Sequence, residues 1–195
     1  NPSPVSMQIH TTSVDQRFMA IFDLNMNPYW IINSSYLGMD FKVNQEYLTY
    51  FNKNEMTWHK MNSFMIEVDT LECINGYSAD YHDIQLLSNG NYIIQAYDSR
   101  FVDMSAIVEG GQEVSHITGI LVIQEFNQHD SLIMEWNAWE HLEISMYDNI
   151  NLSTTGIEWM HGNSIEVDLD NNLLISNRRS SEVIKINRVN GDVIW

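Results

Sequence analysis

Two short segments carry residue types suited to holding an anion. Trp159-Met160-His161-Gly162-Asn163-Ser164 is followed, one hairpin later, by Ser176-Asn177-Arg178-Arg179-Ser180-Ser181. If residues 165–169 and 173–177 pair about the turn Asp170-Asn171-Asn172, His161 and Arg178 fall at the same end of neighbouring strands. Asn163, two residues after His161, then projects to the same side, because side chains alternate along a strand. An imidazole, an amide and a guanidinium facing one volume suit a tetrahedral oxyanion: arginine offers a planar fork of donors, asparagine an N–H, and histidine a proton to keep or give. His82 is a further candidate, preceded by Asp80 and Tyr81. The same residues also suit a plain structural role, with Asn163 closing a turn, His161 and His82 held in the core, and both arginines on the surface.

The elements that must position these residues are hairpins. Ala20 to Trp30 is an apolar strand, a polar turn and a second strand ending in Trp; Val122 to Trp136 and Val183 to Trp195 have the same design, and Phe64 to Ile74 is a weaker copy. Each alternates apolar residues around Asn, Asp or Gly, which is the hairpin signal. A second unit starts with histidine, at His82 to Ile94 and again at His161 to Ile175. One unit of each kind makes four strands, the content of a propeller blade. The expected fold is therefore all-β: a β-propeller with about three to four four-stranded blades present, part of a larger propeller, with residues 1–17 as a lead-in segment and 18–195 as a partial propeller domain. In such a fold matching positions on successive blades face one axis, so His82 and His161 are expected to meet there. A β-sandwich built from the same hairpins is the alternative.

Composition agrees with this class. The 195 residues include 22 Ile and 12 Val but only 5 Ala, together with 21 Asn, a mixture that favours strands and turns over helices. Net charge is −17, which opposes approach to nucleic acid phosphates or anionic lipid. Neither nucleic acid nor membrane insertion is expected, since no apolar run approaches the roughly 20 residues that span a bilayer. Between Met61 and Asn177 there are 19 acidic residues and one basic residue, Arg100. Cys73 is the single cysteine, so no internal disulfide is possible. Asp168-x-Asp170-x-Asn172 begins like a calcium loop, but Leu173 stands where glycine is needed and Arg179 where a bidentate Glu belongs. A tight turn is the better reading, and no metal site or cofactor is predicted. Residues 137–158, with Trp139, His141 and Tyr147, break the repeat and read as a long loop, either a lid or a surface excursion.

The run His161-Gly162-Asn163-Ser164-Ile165, Asp168, Leu174-Ile175-Ser176-Asn177-Arg178, Ser181 to Ile186 and Gly191 to Trp195 resembles the bacterial arylsulfate sulfotransferases, as does His82 to Asn91. The likeness is specific in the His-x-Asn-Ser and Ser-x-Arg segments. It implies a six-bladed propeller enzyme that moves a sulfuryl group from a phenolic sulfate ester to a phenol through a sulfohistidine, with no nucleotide donor. Carried over by motif, His82, His161, Asn163 and Arg178 hold the sulfate oxygens. Arg178 is the electrostatic clamp, and His82 or His161 the acid for the leaving phenol. Arg179 is adjacent, but Arg178 is the residue that follows Ser176-Asn177 in the family pattern. The resemblance places the nucleophilic histidine in a later blade. No histidine follows His161 here, so the chain alone is expected to be inactive and to be a piece of a longer protein. The family likeness also implies a periplasmic or secreted location. A non-catalytic propeller that binds a ligand or a protein is the competing expectation.

Overall fold

A computed structural model describes residues 5–10, 17–33 and 37–195. Among the described residues, fifteen strands form four antiparallel meanders. The first sheet holds β1 (Val5–His10), β2 (Arg17–Phe22) and β3 (Pro28–Asn33) in that order. The second runs β4 (Leu37–Asn44), β5 (Tyr47–Asn52), β6 (Thr57–Met61) and β7 (Glu67–Leu71). The third runs β8 (Ala79–Leu86), β9 (Tyr92–Val102), β10 (Ser115–Phe126) and β11 (Leu132–Asn137), with the short β12 (Gly156–Glu158) lying parallel to β10. The fourth holds β13 (Gly162–Val167), β14 (Leu173–Asn177) and β15 (Glu182–Ile186), extended by a bridge from Ile186 to Val193. These are propeller blades. The first strands of successive sheets pack on one another, β1 on β4, β4 on β8 and β8 on β13. Strand β1 lies within the stretch expected as a lead-in and pairs with β2.

Each junction between blades has its own core. Met19 and Ile21 meet Phe41 and Leu48 at the first; Phe51, Trp58 and Leu71 meet Ile84, Ile94 and Ala96 at the second; Ile93, Leu121 and Ile123 meet Ile165, Leu173 and Ile175 at the third. Ile93 and Ile94, adjacent on β9, face opposite cores. A sheet covered on both faces has no solvent side there, so residues 92–96 of β9 and 120–126 of β10 are buried at every position, the polar Gln95, Gln124 and Glu125 included.

Most turns are made as the sequence suggests. Asp23 caps its hairpin through its side chain, accepting from the N–H of Asn25 and of Asn27, and Asn62 and Asn127 do the same for theirs. Asp168-to-Asn172 closes the β13–β14 turn, with Lys185 Nζ 2.6 Å from Asp168 and 2.8 Å from Asp170, so an ammonium sits between the two carboxylates. Two expectations need correction, and one hairpin adds to them. Phe64 and Ile66 belong to a turn, not a strand, because Met65 adopts φ +57° and Asn62 accepts the N–H groups of Phe64 and Ile66. The hairpin β4–β5 lies outside the repeated units read from the sequence. The stretch 137–158 is not a featureless loop: it holds a four-residue helix, Ala138–His141, and β12, and its Trp139 and Tyr147 rings pack edge-on against buried Trp159 at 5.7 Å each.

Candidate functional site

The site is built where β8 meets β13. Strand β12 docks alongside β10 with Glu158 opposite Thr118. The chain then reverses over the carbonyl of Gly119, which accepts the N–H groups of both Met160 and His161 at 3.2 Å. Gly119 itself is left-handed, φ +66°, and a Cβ there would lie 3.2 Å from the Glu158 side chain; only glycine fits both demands cheaply. His161 is also left-handed, φ +58°, an uncommon state for a non-glycine residue. That turn brings its ring back onto Glu158, with Nδ1 2.6 Å from Oε1.

Gly162 follows for a different reason. A Cβ at this position would come within 2.6 Å of Leu121 and 2.9 Å of Gln95 Oε1, so the backbone of β13 can approach the third blade only without a side chain. Its carbonyl is met by the Tyr97 hydroxyl, which donates at 2.8 Å, and by Gln95 Nε2 at 3.3 Å. Burial pushes the Tyr97 hydroxyl well above the ordinary phenol range, so it stays a neutral donor.

His82 arrives from β8. Its Nδ1 lies 2.6 Å from Asp80 Oδ2, the same oxygen that accepts the His82 backbone N–H at 2.8 Å and Gln95 Nε2 at 2.9 Å. Tyr81 stacks on the ring at 4.2 Å. The rings of His82 and His161 meet edge to face at 5.0 Å, and Tyr97 lies 6.0 Å from His161. Two carboxylate–histidine pairs from adjacent blades thus stand against each other. Among the described residues neither Nε2 has a hydrogen-bond partner.

The arginines divide the work. Backbone N–H groups of Arg178 and Arg179 donate to the carbonyls of His161 and Met160, at 2.9 and 3.0 Å, which puts the Ser-x-Arg segment beside the histidine. Arg179 Nε bonds Glu158, so Glu158 bridges Arg179 and His161. Burial alone would raise the Glu158 pKa; the bonds from His161 and Arg179 outweigh it and hold the carboxyl below its ordinary value. Arg178 is exposed and has no ion-pair partner among the described residues. Asn163 is exposed as well, and it is the extra residue of a β-bulge, since Gly162 pairs Asn177 and Ser164 pairs Ser176. Strand alternation therefore does not carry from His161 to Asn163. Gln95, Tyr97 and Glu158 join the site without having been picked out in the sequence. Only Asp80 left a signal there, two residues before His82 on the same strand face.

Two imidazoles, each held at Nδ1 by a carboxylate, can take up or release a proton at Nε2. A family model described as Arylsulfotransferase (ASST) matches residues 4–195. No curated protein matches the sequence. Among solved structures, a protein of unknown function from Bacteroides caccae is similar, with 10% identity and a TM-score of 0.40, over 99% of this chain and 72% of that one.

Proposed function

The chain belongs to the arylsulfotransferase family, and on that footing we propose that it serves the transfer of a sulfuryl group from a phenolic sulfate ester to a phenol, with small aryl molecules as donor and acceptor and no nucleotide. The observation that carries this reading is the His82–His161 contact, with neither Nε2 bonded among the described residues and the Arg178 backbone N–H donating to the His161 carbonyl. In the first half-reaction a histidine nitrogen attacks sulfur, an N–S bond forms and the S–O bond to the donor aryl group breaks. The leaving phenolate takes a proton from Nε2–H of His82 or His161. In the second half the acceptor phenol returns a proton to that imidazole as its oxygen takes the sulfuryl group and the N–S bond breaks. On the family motif Arg178 and Asn163 supply donors to the sulfate oxygens, where charge builds up. In the family pattern the attacking histidine lies in a blade after the Ser-x-Arg segment, and on that pattern His82, His161, Asn163 and Arg178 supply the oxyanion cradle and the proton donors. We place the protein in the periplasm or outside the cell on the same family likeness.

The test is release of p-nitrophenol from p-nitrophenyl sulfate by the longest natural form of the protein, without nucleotide. Release that depends on added phenol supports the proposal. No release from a folded sample overturns it in favour of a propeller that only binds.

A further inference from the structure

We infer that Glu158 is a positioning residue, which fixes the tautomer of His161 and occupies Arg179 so that Arg178 is the cation left for an anion. A carboxylate can only accept, so the 2.6 Å contact with Nδ1 requires the proton on that nitrogen. The neutral ring then has its lone pair on Nε2, and the protonated ring donates from Nε2; either way Nε2 is the working atom. No other described group reaches Nδ1. The groups facing the ring are Glu158, the His82 imidazole and the Tyr97 ring, with Asp80 behind His82 and Arg179 behind Glu158.

Two adjacent guanidiniums beside one small anion would repel each other and compete for it. Glu158 resolves this by taking the Nε of Arg179, while the Arg179 carbonyl accepts from Asn149 Nδ2 at 3.1 Å, which pins that residue on the far side of its backbone too. Arg178 has a fixed main chain, through the carbonyl of His161, and a free side chain. Glu158 owes its place to two features outside the motif, the parallel pairing of β12 with β10 and the left-handed turn at His161.

The kinetic arm of the test rests on the sulfuryl-transfer reading, and the spectroscopic arm does not. The protein in its longest natural form is labelled with 15N-histidine, His161 is assigned by loss of its signals in His161→Gln, and ring tautomers are read from two-bond 1H–15N correlations. His161 is expected in the Nδ1–H form in the wild type and in Glu158→Gln, whose amide oxygen accepts the same bond. In Glu158→Ala it is expected to move toward the Nε2–H form. An Nε2–H ring in the wild type, or an unchanged Nδ1–H ring in Glu158→Ala, overturns the inference. With p-nitrophenyl sulfate and phenol, Glu158→Ala should lower kcat on the order of 10-fold or more with little change in KM, and Glu158→Gln should recover part of it. An unchanged kcat beside a changed tautomer also overturns it. No turnover by the wild type refutes the proposed function, while the tautomer result still decides the role of Glu158.

Discussion

His59 and the His82–His161 pair are both histidines set against acidic side chains, in adjacent blades, yet they are wired differently. His59 is buried on β6, with Nδ1 2.9 Å from Glu67 and Nε2 3.0 Å from Glu55, and the Tyr50 ring stacked on it at 4.9 Å. Thr57 and Asn52 crowd the same Nε2 at 3.3 and 3.4 Å. Tyr50 closes the cluster by donating to Glu67, and burial together with that bond raises its pKa. Every polar atom of the His59 ring is spent on the fold. His82 and His161 each spend one nitrogen on a carboxylate and keep the other. A histidine with both nitrogens satisfied rigidifies its surroundings; one with a single oriented nitrogen can exchange a proton with something that arrives later.

This contrast can be broken most directly at the open nitrogens. His161→Gln and His82→Gln should each cut aryl sulfate turnover by about 10²–10⁴-fold, the range for losing a positioned acid or base, while His59→Gln should leave kcat within about twofold. Equal losses from all three would erase the distinction. Next in size is Arg178→Ala, expected to cost about 3 kcal/mol of transition-state stabilisation, the scale of losing one oxyanion donor. Arg179→Ala should cost less, because its partner is Glu158 and not the anion; the reverse order in kcat/KM would exchange the roles of the two arginines.

The fold side of the comparison is read by urea unfolding. His59→Gln should lose about 1–3 kcal/mol, because the buried ring gives up its bonds to the Glu55 and Glu67 carboxylates and its stack on Tyr50. Gly162→Ala should lose a similar amount, about 1–3 kcal/mol, from overpacking against Leu121 and Gln95. A neutral result for Gly162→Ala would mean the third and fourth blades have slack at the site. The smallest effect is at the turn. Asp170 is held down to about 2 by its bonds from Lys185 and Asn172. Its folded-state pKa is depressed, so the contribution is present above the ordinary carboxylate value and fades as pH falls from about 4 to about 2. The difference in Tm between wild type and Lys185→Met should be small at pH 5 and shrink further toward pH 2; a difference that grows in acid would refute this pairing.

The sequence announced turns better than strands. Asn and Asp side chains cap the backbone locally, so Asp23, Asn127 and Asp168 mark hairpins by their own chemistry. The β4–β5 hairpin has no such mark, because its left-handed residue is Gln45, φ +54°, with Glu46 beside it. Phe64 to Ile66 misled for the opposite reason: their apolar side chains imitate a strand, while Asn62 has already folded them into a turn. The meeting of His82 and His161 was legible from their matching repeat positions, since the propeller places equivalent residues around one axis. Glu158 was not, as neither strand nor helix periodicity joins residues 158 and 161 in that place; the left-handed backbone at His161 does, and periodicity is blind to it.

Asp83 lies next to His82 and faces away from the chemistry. One carboxylate oxygen takes Lys42 Nζ from β4 at 2.5 Å, and the other accepts the backbone N–H of Ile165 on β13 at 2.8 Å. A single side chain therefore ties together three blades across sequence separations of 41 and 82 residues. Each meander closes by local contacts and can form early, whereas these ties need three finished sheets, so they come late along the folding route. Interactions made after the rate-limiting step slow unfolding without speeding folding. Asp83 is therefore expected to act as a kinetic latch on blade docking, with Asp83→Asn speeding urea-induced unfolding while the folding rate stays unchanged.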